Sequence, residues 1–123
     1  MSQRIVLVGH CGVDGPRMEA EIHGLFRDCQ ILSASDDEDL ENILGEGADL
    51  LLVNRELPYS FEDQEGVEAI RHVREKHPNI KAMLISDFED AQAAACAAGA
   101  CPGFGKADLG SPKVAQVIKN ALH

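Results

Sequence analysis

The chain has 123 residues, 45% of them hydrophobic, with 11 basic against 21 acidic side chains and a formal net charge of -10. That length suits one domain with its own core, and the composition excludes a disordered chain. The acidic balance excludes a nucleic-acid or anionic-membrane surface, because phosphates would be repelled; it leaves proteins, cations and small molecules.

Ile5-Val6-Leu7-Val8 is a β-branched-rich apolar run and predicts the first strand. Residues 9–16, Gly-His-Cys-Gly-Val-Asp-Gly-Pro, break it. Asp14 is placed to cap a helix with Pro16 in its first turn. Met18, Ile22, Leu25 and Phe26 then recur at helical spacing and predict one buried face. Residues 30–34 carry Ile31 and Leu32 as a short second strand. Ser35 with Glu38 reads as a capping box, and Asp36 and Asp37 suit the positive end of the helix dipole. Leu40, Ile43 and Leu44 face inward until Gly45 and Gly47 end that helix.

Residues 48–58, ADLLLVNRELP, are the stretch around which the rest is arranged. Leu50 to Val53 form an unbroken apolar run, as a parallel strand buried on both faces requires. Pro58 forbids further ladder bonding and turns the chain out of the sheet. Asn54 therefore ends a buried strand, at the edge where open α/β sheets bind their ligands. After a loop holding Tyr59 and Phe61, a helix over 65–77 turns Val67, Ile70 and Val73 inward and stops at Pro78. Ala82-Met83-Leu84-Ile85 is the fourth strand and ends in Ser86-Asp87. The helix over 90–98 is nearly all alanine, helical by propensity but weakly patterned, and Gly99 ends it. Residues 101–105 make a poor fifth strand, and Pro102 suits a sheet edge. Ser111 opens a last helix with an apolar stripe of Val114, Val117, Ile118, Ala121 and Leu122.

Five strands alternating with five helices predict a parallel, doubly wound sheet with right-handed crossovers, in the flavodoxin-like order 2-1-3-4-5. Its switch point, between strands 1 and 3, brings the 9–12 loop and Asn54 to one crevice. Ser86 and Lys106 arrive there from strands 4 and 5. The four cysteines, Cys11, Cys29, Cys96 and Cys101, have no CxxC spacing. Reduced thiols in a cytoplasm are expected, with Cys29 and Cys96 buried. No apolar run approaches membrane-spanning length, and the N-terminal residues have no signal-peptide character. We expect a single cytoplasmic domain over 1–123 with no effector domain, so that output passes through a partner.

In these stretches the chain resembles the receiver domain of bacterial two-component response regulators over nearly its whole length. The resemblance rests on ADLLLVNRELP at 48–58, GVEAIRHVREKHPNIKAMLIS at 66–86, and Ala98-Gly99-Ala100 ahead of Gly105-Lys106. It implies a flavodoxin-like (CheY-like) three-layer sandwich. Receivers carry a phosphoryl group on an aspartate ending strand 3; Asn54 stands there. They hold Mg²⁺ with an acidic pair ending strand 1; Gly9 and His10 match, with Cys11 next. Ser86 matches the Ser or Thr that grips the phosphoryl group, and Lys106 the lysine that pairs with it. Ala107 replaces the proline that usually follows that lysine, Gly103 stands at the aromatic switch position with Phe104 one place out of step, and the loop after Pro58 is longer than usual.

An amide cannot form an acyl phosphate, and Mg²⁺ wants carboxylate oxygens that glycine and histidine do not supply. The resemblance therefore implies a degenerate pseudo-receiver in a two-component or phosphorelay pathway: not an enzyme, with no catalytic residue, metal or cofactor. It would act by binding a protein partner, such as a histidine kinase or another signalling protein, as a monomer or weak homodimer. The family's partner face is usually helix 4, strand 5 and helix 5, here offering Ala93, Ala94, Ala97 and Phe104. The competing reading is a redox or small-ligand sensor using the crevice around Cys11, His10 and Lys106, since a helix N-terminus lowers a thiol's pKa and attracts anions. Simpler uses compete as well: Asn54 satisfying loop amides, Lys106 solvated, and Phe61 and Tyr59 anchoring a loop or meeting a partner. No nucleophile, base and orienting acid come together in the sequence, and neither the GxGxxG nor the P-loop spacing is met.

Overall fold

The computed structural model describes residues 3–122. Five strands, β1 (Arg4–Val8), β2 (Gln30–Ala34), β3 (Leu50–Asn54), β4 (Lys81–Ile85) and β5 (Cys101–Phe104), alternate with α1 (Asp14–Leu25), α2 (Asp37–Glu46), α3 (Gly66–Lys76), α4 (Glu89–Ala97) and α5 (Pro112–Leu122). All strand pairs are parallel and the sheet order is β2-β1-β3-β4-β5, a flavodoxin-like three-layer sandwich. No helix among the described residues is long and apolar enough to cross a membrane.

Alternation along the central strands explains their unbroken apolar runs. Leu51 and Val53 enter one core with Val6, Val8, Ala82 and Leu84, covered by Leu40 and Leu44 of α2, Ile70 and Val73 of α3, and Ala95 of α4. Leu50 and Leu52 enter the other with Ile5, Leu7, Met83 and Ile85, covered by Met18 and Ile22 of α1 and Val114 and Ile118 of α5. Both faces are apolar, so on the three central strands polar residues appear only at the ends: Arg4 and Lys81 where β1 and β4 enter the sheet, and others where a strand leaves it. Asn54 and Ser86 mark those exits.

Several local expectations change. Asp14 does not cap α1: Val13 precedes the helix with helical dihedrals and no side-chain cap bond forms, while the Asp14 N–H donates to Cys11 Sγ at 3.3 Å. The cap of α2 is Asp36, whose carboxylate accepts from the Asp39 N–H at 2.8 Å; Asp39 reaches back to the Ser35 N–H, one residue later than the Ser35–Glu38 reading. Gly45 lies inside α2, and Gly47, at φ 108°, turns the chain out. Leu25 is exposed, and Phe26 at the helix end packs against the core in its place. Cys29 is buried, but Cys96 is exposed: Ala91 and Ala95, four residues apart, take the inward face of α4, and Cys96 beside them faces out.

Glycines let the loops close tightly at the carboxyl edge. A Cβ on Gly66 would fall on the Asn54 carbonyl and come within 2.8 Å of Leu84 Cδ1, so α3 can start against the end of β3 only with glycine. The 55–65 loop is pinned by a Glu56–Glu65 bridge and by the Leu57 N–H donating to Gln64 O at 3.0 Å. Phe61 is buried beneath it, which makes it the loop's anchor, and Tyr59 stands at the tip, 96% exposed.

Candidate functional site

The carboxyl edge of β3, β4 and β5 frames a cavity of about 200 Å³ lined by Asn54, Ser86 and Lys106 together with Arg55, Glu56, Asp87 and Phe88. Each of the three is delivered by the first polar position past an apolar strand. Gly9 borders the site through its backbone: the Asn54 side-chain amide donates to Gly9 O at 3.3 Å and to Glu56 O at 2.9 Å. The donor face of the amide thus holds the β1–α1 and β3–α3 loops together. Ser86 is 8% exposed, and its Oγ accepts from the Phe88 N–H at 3.1 Å.

The cations are committed within the chain. Lys106 Nζ sits 2.8 Å from Asp14 Oδ2. That hydrogen bond, with a smaller one involving Cys11, holds the Asp14 carboxyl below its usual range. Arg55 pairs with Glu56 at 2.9 Å, and its guanidinium carbon lies 5.0 Å from the centroid of the exposed Phe88 ring. Asp87 accepts from the Ala107 N–H at 3.1 Å, a donor that a proline at that position would lack. A Cβ on Gly105 would overlap the Asp87 side chain, so this link also requires glycine.

His10 and Cys11 do not line that cavity. They face a second one, of about 190 Å³, with Gly12, Pro16 and Ser33 on the β2 side. His10 Nε2 lies 2.8 Å from Leu52 O, so this nitrogen carries the proton. Its Nδ1 is buried without a partner. Burial lowers the pKa of His10; the Leu52 bond opposes that, Lys106 adds to it and Asp14 again opposes. The crevice expected for Cys11, His10 and Lys106 is divided: His10 and Cys11 line the cavity on the β2 side and Lys106 the one at β3, β4 and β5, with Asp14 between them, its N–H on Cys11 Sγ and its carboxylate on Lys106.

The expected partner face also divides. Ala93, Ala94 and Ala97 are exposed, and Ala93 borders a groove of about 680 Å³ between α4, β5 and α5. Phe104 is 1% exposed and packs with Met83, Ile85, Val114 and Ile118, so it cannot meet a partner. Gly103, buried beside it, has its open side against α4. Gln92 fills that place: its amide donates to Leu84 O at 2.9 Å and Ser86 O at 3.0 Å, and its oxygen accepts from the Gly103 N–H at 3.2 Å. Gln92, Asp14, Arg55 and Phe88 were not singled out for these roles from the sequence. A lone glutamine in an alanine helix was the available signal for the first.

The receiver fold implies Mg²⁺, and the donor set does not fit it. Gly9 has no side chain, stands at φ 73°, and a Cβ there would press into the Leu57 side chain. His10 is turned to Leu52 O and Asn54 offers an uncharged oxygen. No cluster of three or more His, Cys, Asp or Glu among the described residues could hold a metal ion.

No protein-family model matches the chain, and no curated protein matches it. Solved structures do. The signal receiver domain of an HD domain-containing protein from Pseudomonas fluorescens Pf-5 superposes with a TM-score of 0.80 at 18% identity, over 98% of this chain and 87% of that one. A response regulator from Thermotoga maritima gives 0.77 at 18%, over 99% and 98%. An orphan response regulator of H. pylori gives 0.76 at 20%, over 99% and 98%. At these identities the likeness is one of fold: the chain has the flavodoxin-like receiver fold.

Proposed function

We propose that this chain is a signalling module of the two-component, response-regulator type that is not phosphorylated at Asn54 and acts by binding a protein partner, such as a histidine kinase. The carrying observation is the Asn54 amide donating to two backbone carbonyls while Lys106 is held by Asp14. The position that would receive a phosphoryl group serves as a clamp between loops, and the cation that would meet the phosphate already has a carboxylate. Asn54 offers no carboxylate to attack a phosphoryl group, and among the described residues no cluster of His, Cys, Asp or Glu could hold a metal ion beside it, so the transfer would lack its charge stabilisation. What remains is a surface, which suits recognition without phosphoryl transfer.

The test is a titration of the ¹⁵N-labelled chain with beryllofluoride and Mg²⁺, which together mimic an acyl phosphate. Unchanged amide resonances around Asn54, Ser86 and Lys106 are expected. Saturable, Mg²⁺-dependent shifts there would overturn the reading.

A further inference from the structure

The seam between β4 and β5 is not closed by backbone alone. Met83 faces Cys101 and Ile85 faces Phe104, so two residues of β5, Pro102 and Gly103, stand opposite Leu84. This is a β-bulge, and it leaves ladder groups without backbone partners. Pro102 has no N–H to offer. The Gly103 N–H donates instead to Gln92 Oε1 at 3.2 Å, while Gln92 Nε2 donates to Leu84 O at 2.9 Å and to Ser86 O at 3.0 Å. One side-chain amide from α4 thus takes the place of the missing rung. Glycine is what admits it: a Cβ on Gly103 would come within 2.2 Å of Leu84 O and 3.2 Å of Gln92 Oε1.

The rest of α4 is held weakly. Ala95 is its buried residue, Ala91 is partly buried, and no side chain caps its start. Alanine methyls bury little apolar area, and a helix of 9 residues does not stand alone in water. Gln92 is therefore its chief specific attachment. Leu84 and Gly103 are buried, so withdrawing the amide leaves a buried carbonyl and a buried N–H unpaired. We propose that Gln92 is a latch: the docking of α4 and the closing of the β4–β5 seam are one event, and α4 is released from the sheet as a unit, unfolding as it leaves. Gln92, Ala93 and Cys96 form one wall of the 680 Å³ groove, facing Pro102, Gly103 and Val117, so opening the latch dismantles that groove. Nothing in the latch depends on what Asn54 does.

Native-state hydrogen exchange of the whole ¹⁵N-labelled chain, at low urea concentrations, tests this. The Gly103 amide and the α4 amides of Ala95, Cys96 and Ala97 should share one opening, with the same urea slope, smaller than that of Leu52 and Val53 in the central strand. Two substitutions then cross-examine the link. Gln92→Met keeps bulk without the amide and should lower protection across α4 roughly tenfold. Ala94→Gly, at an exposed position on α4, should lower protection of the Gly103 amide about fivefold, because it weakens only the helix. If Gln92→Met does not fold, Ala94→Gly and the wild-type slopes still decide. Different slopes for Gly103 and α4, a slope for both as steep as that of the central strand, unchanged α4 protection in Gln92→Met, or unchanged Gly103 protection in Ala94→Gly would each overturn the proposal.

Discussion

Lys106 Nζ lies 2.8 Å from Asp14 Oδ2, so the cation at the end of β5 is tied to the first turn of α1 across the carboxyl edge of the sheet. This contact crosses from just past the fifth strand to the helix that follows the first. With side chains 36% and 26% exposed, the pair is a partly screened ion pair. Replacing Asp14→Asn should cost about 0.5–1 kcal/mol near neutral pH. Because Lys106 depresses the Asp14 pKa, that contribution is complete above the usual value of 3.8 and is lost as pH falls through the lower folded value. Urea unfolding of both proteins from pH 6 downwards checks it: the gap should hold above 3.8 and narrow below it.

Asn54→Asp should not restore phosphorylation. The substitution supplies a nucleophile but leaves Gly9 without a carboxylate and Lys106 engaged by Asp14. It also sets a carboxylate against the carbonyl oxygens of Gly9 and Glu56, which now accept from the amide. A stability loss of about 1–2 kcal/mol is expected, since two acceptors lose their donor and face a charge. Intact-mass spectrometry with acetyl phosphate and Mg²⁺ should show no rapid adduct. Stoichiometric, Mg²⁺-dependent labelling would mean that another acid, such as Asp87, reaches a metal in the crevice.

Two glycines should respond in opposite directions to alanine. At Gly66 the added Cβ meets the Asn54 carbonyl and the Leu84 side chain, so Gly66→Ala should destabilise by about 3 kcal/mol or more and disturb the Asn54 amide resonance. At Gly24, inside α1, nothing lies within 4 Å, and Gly24→Ala should stabilise by about 0.5–1 kcal/mol. Thermal or urea unfolding decides both.

His10 and His72 should titrate on opposite sides of 6.5. Burial lowers the His10 pKa, so its contribution to stability is complete above 6.5 and is lost as pH falls through the folded value. The hydrogen bond to Asp63 raises that of His72, so its contribution is complete below 6.5 and is lost as pH rises through the folded value. Ring proton resonances followed against pH give both midpoints. His72→Gln should flatten the alkaline branch of the stability curve and leave the acid branch unchanged.

Most of the architecture was legible in the chain because it rests on local patterns. Apolar runs of four or five residues, helical spacing in α1, α3 and α5, and alternation between them lead to one parallel sheet whatever the distant contacts. The same patterns put Asn54, Ser86 and Lys106 at strand exits, and so at one edge. Weak patterns failed where they had to: an alanine helix does not say which side is inward, so Cys96 was placed inside and came out, while Phe104 did the reverse. Which side chains meet across the edge depends on register and loop path, which local spacing does not encode. Asp14 was as good a helix cap as an ion-pair partner until β5 brought Lys106 beside it. Gln92 was one polar residue among alanines until Gly103, with no side chain, left a space for its amide. The sequence by itself determined that the buried third strand ends in an amide, Asn54, at the carboxyl edge of the sheet. Only the packing of the three β–α loops decided that this amide holds two loops together and that the lysine beside it already has its carboxylate.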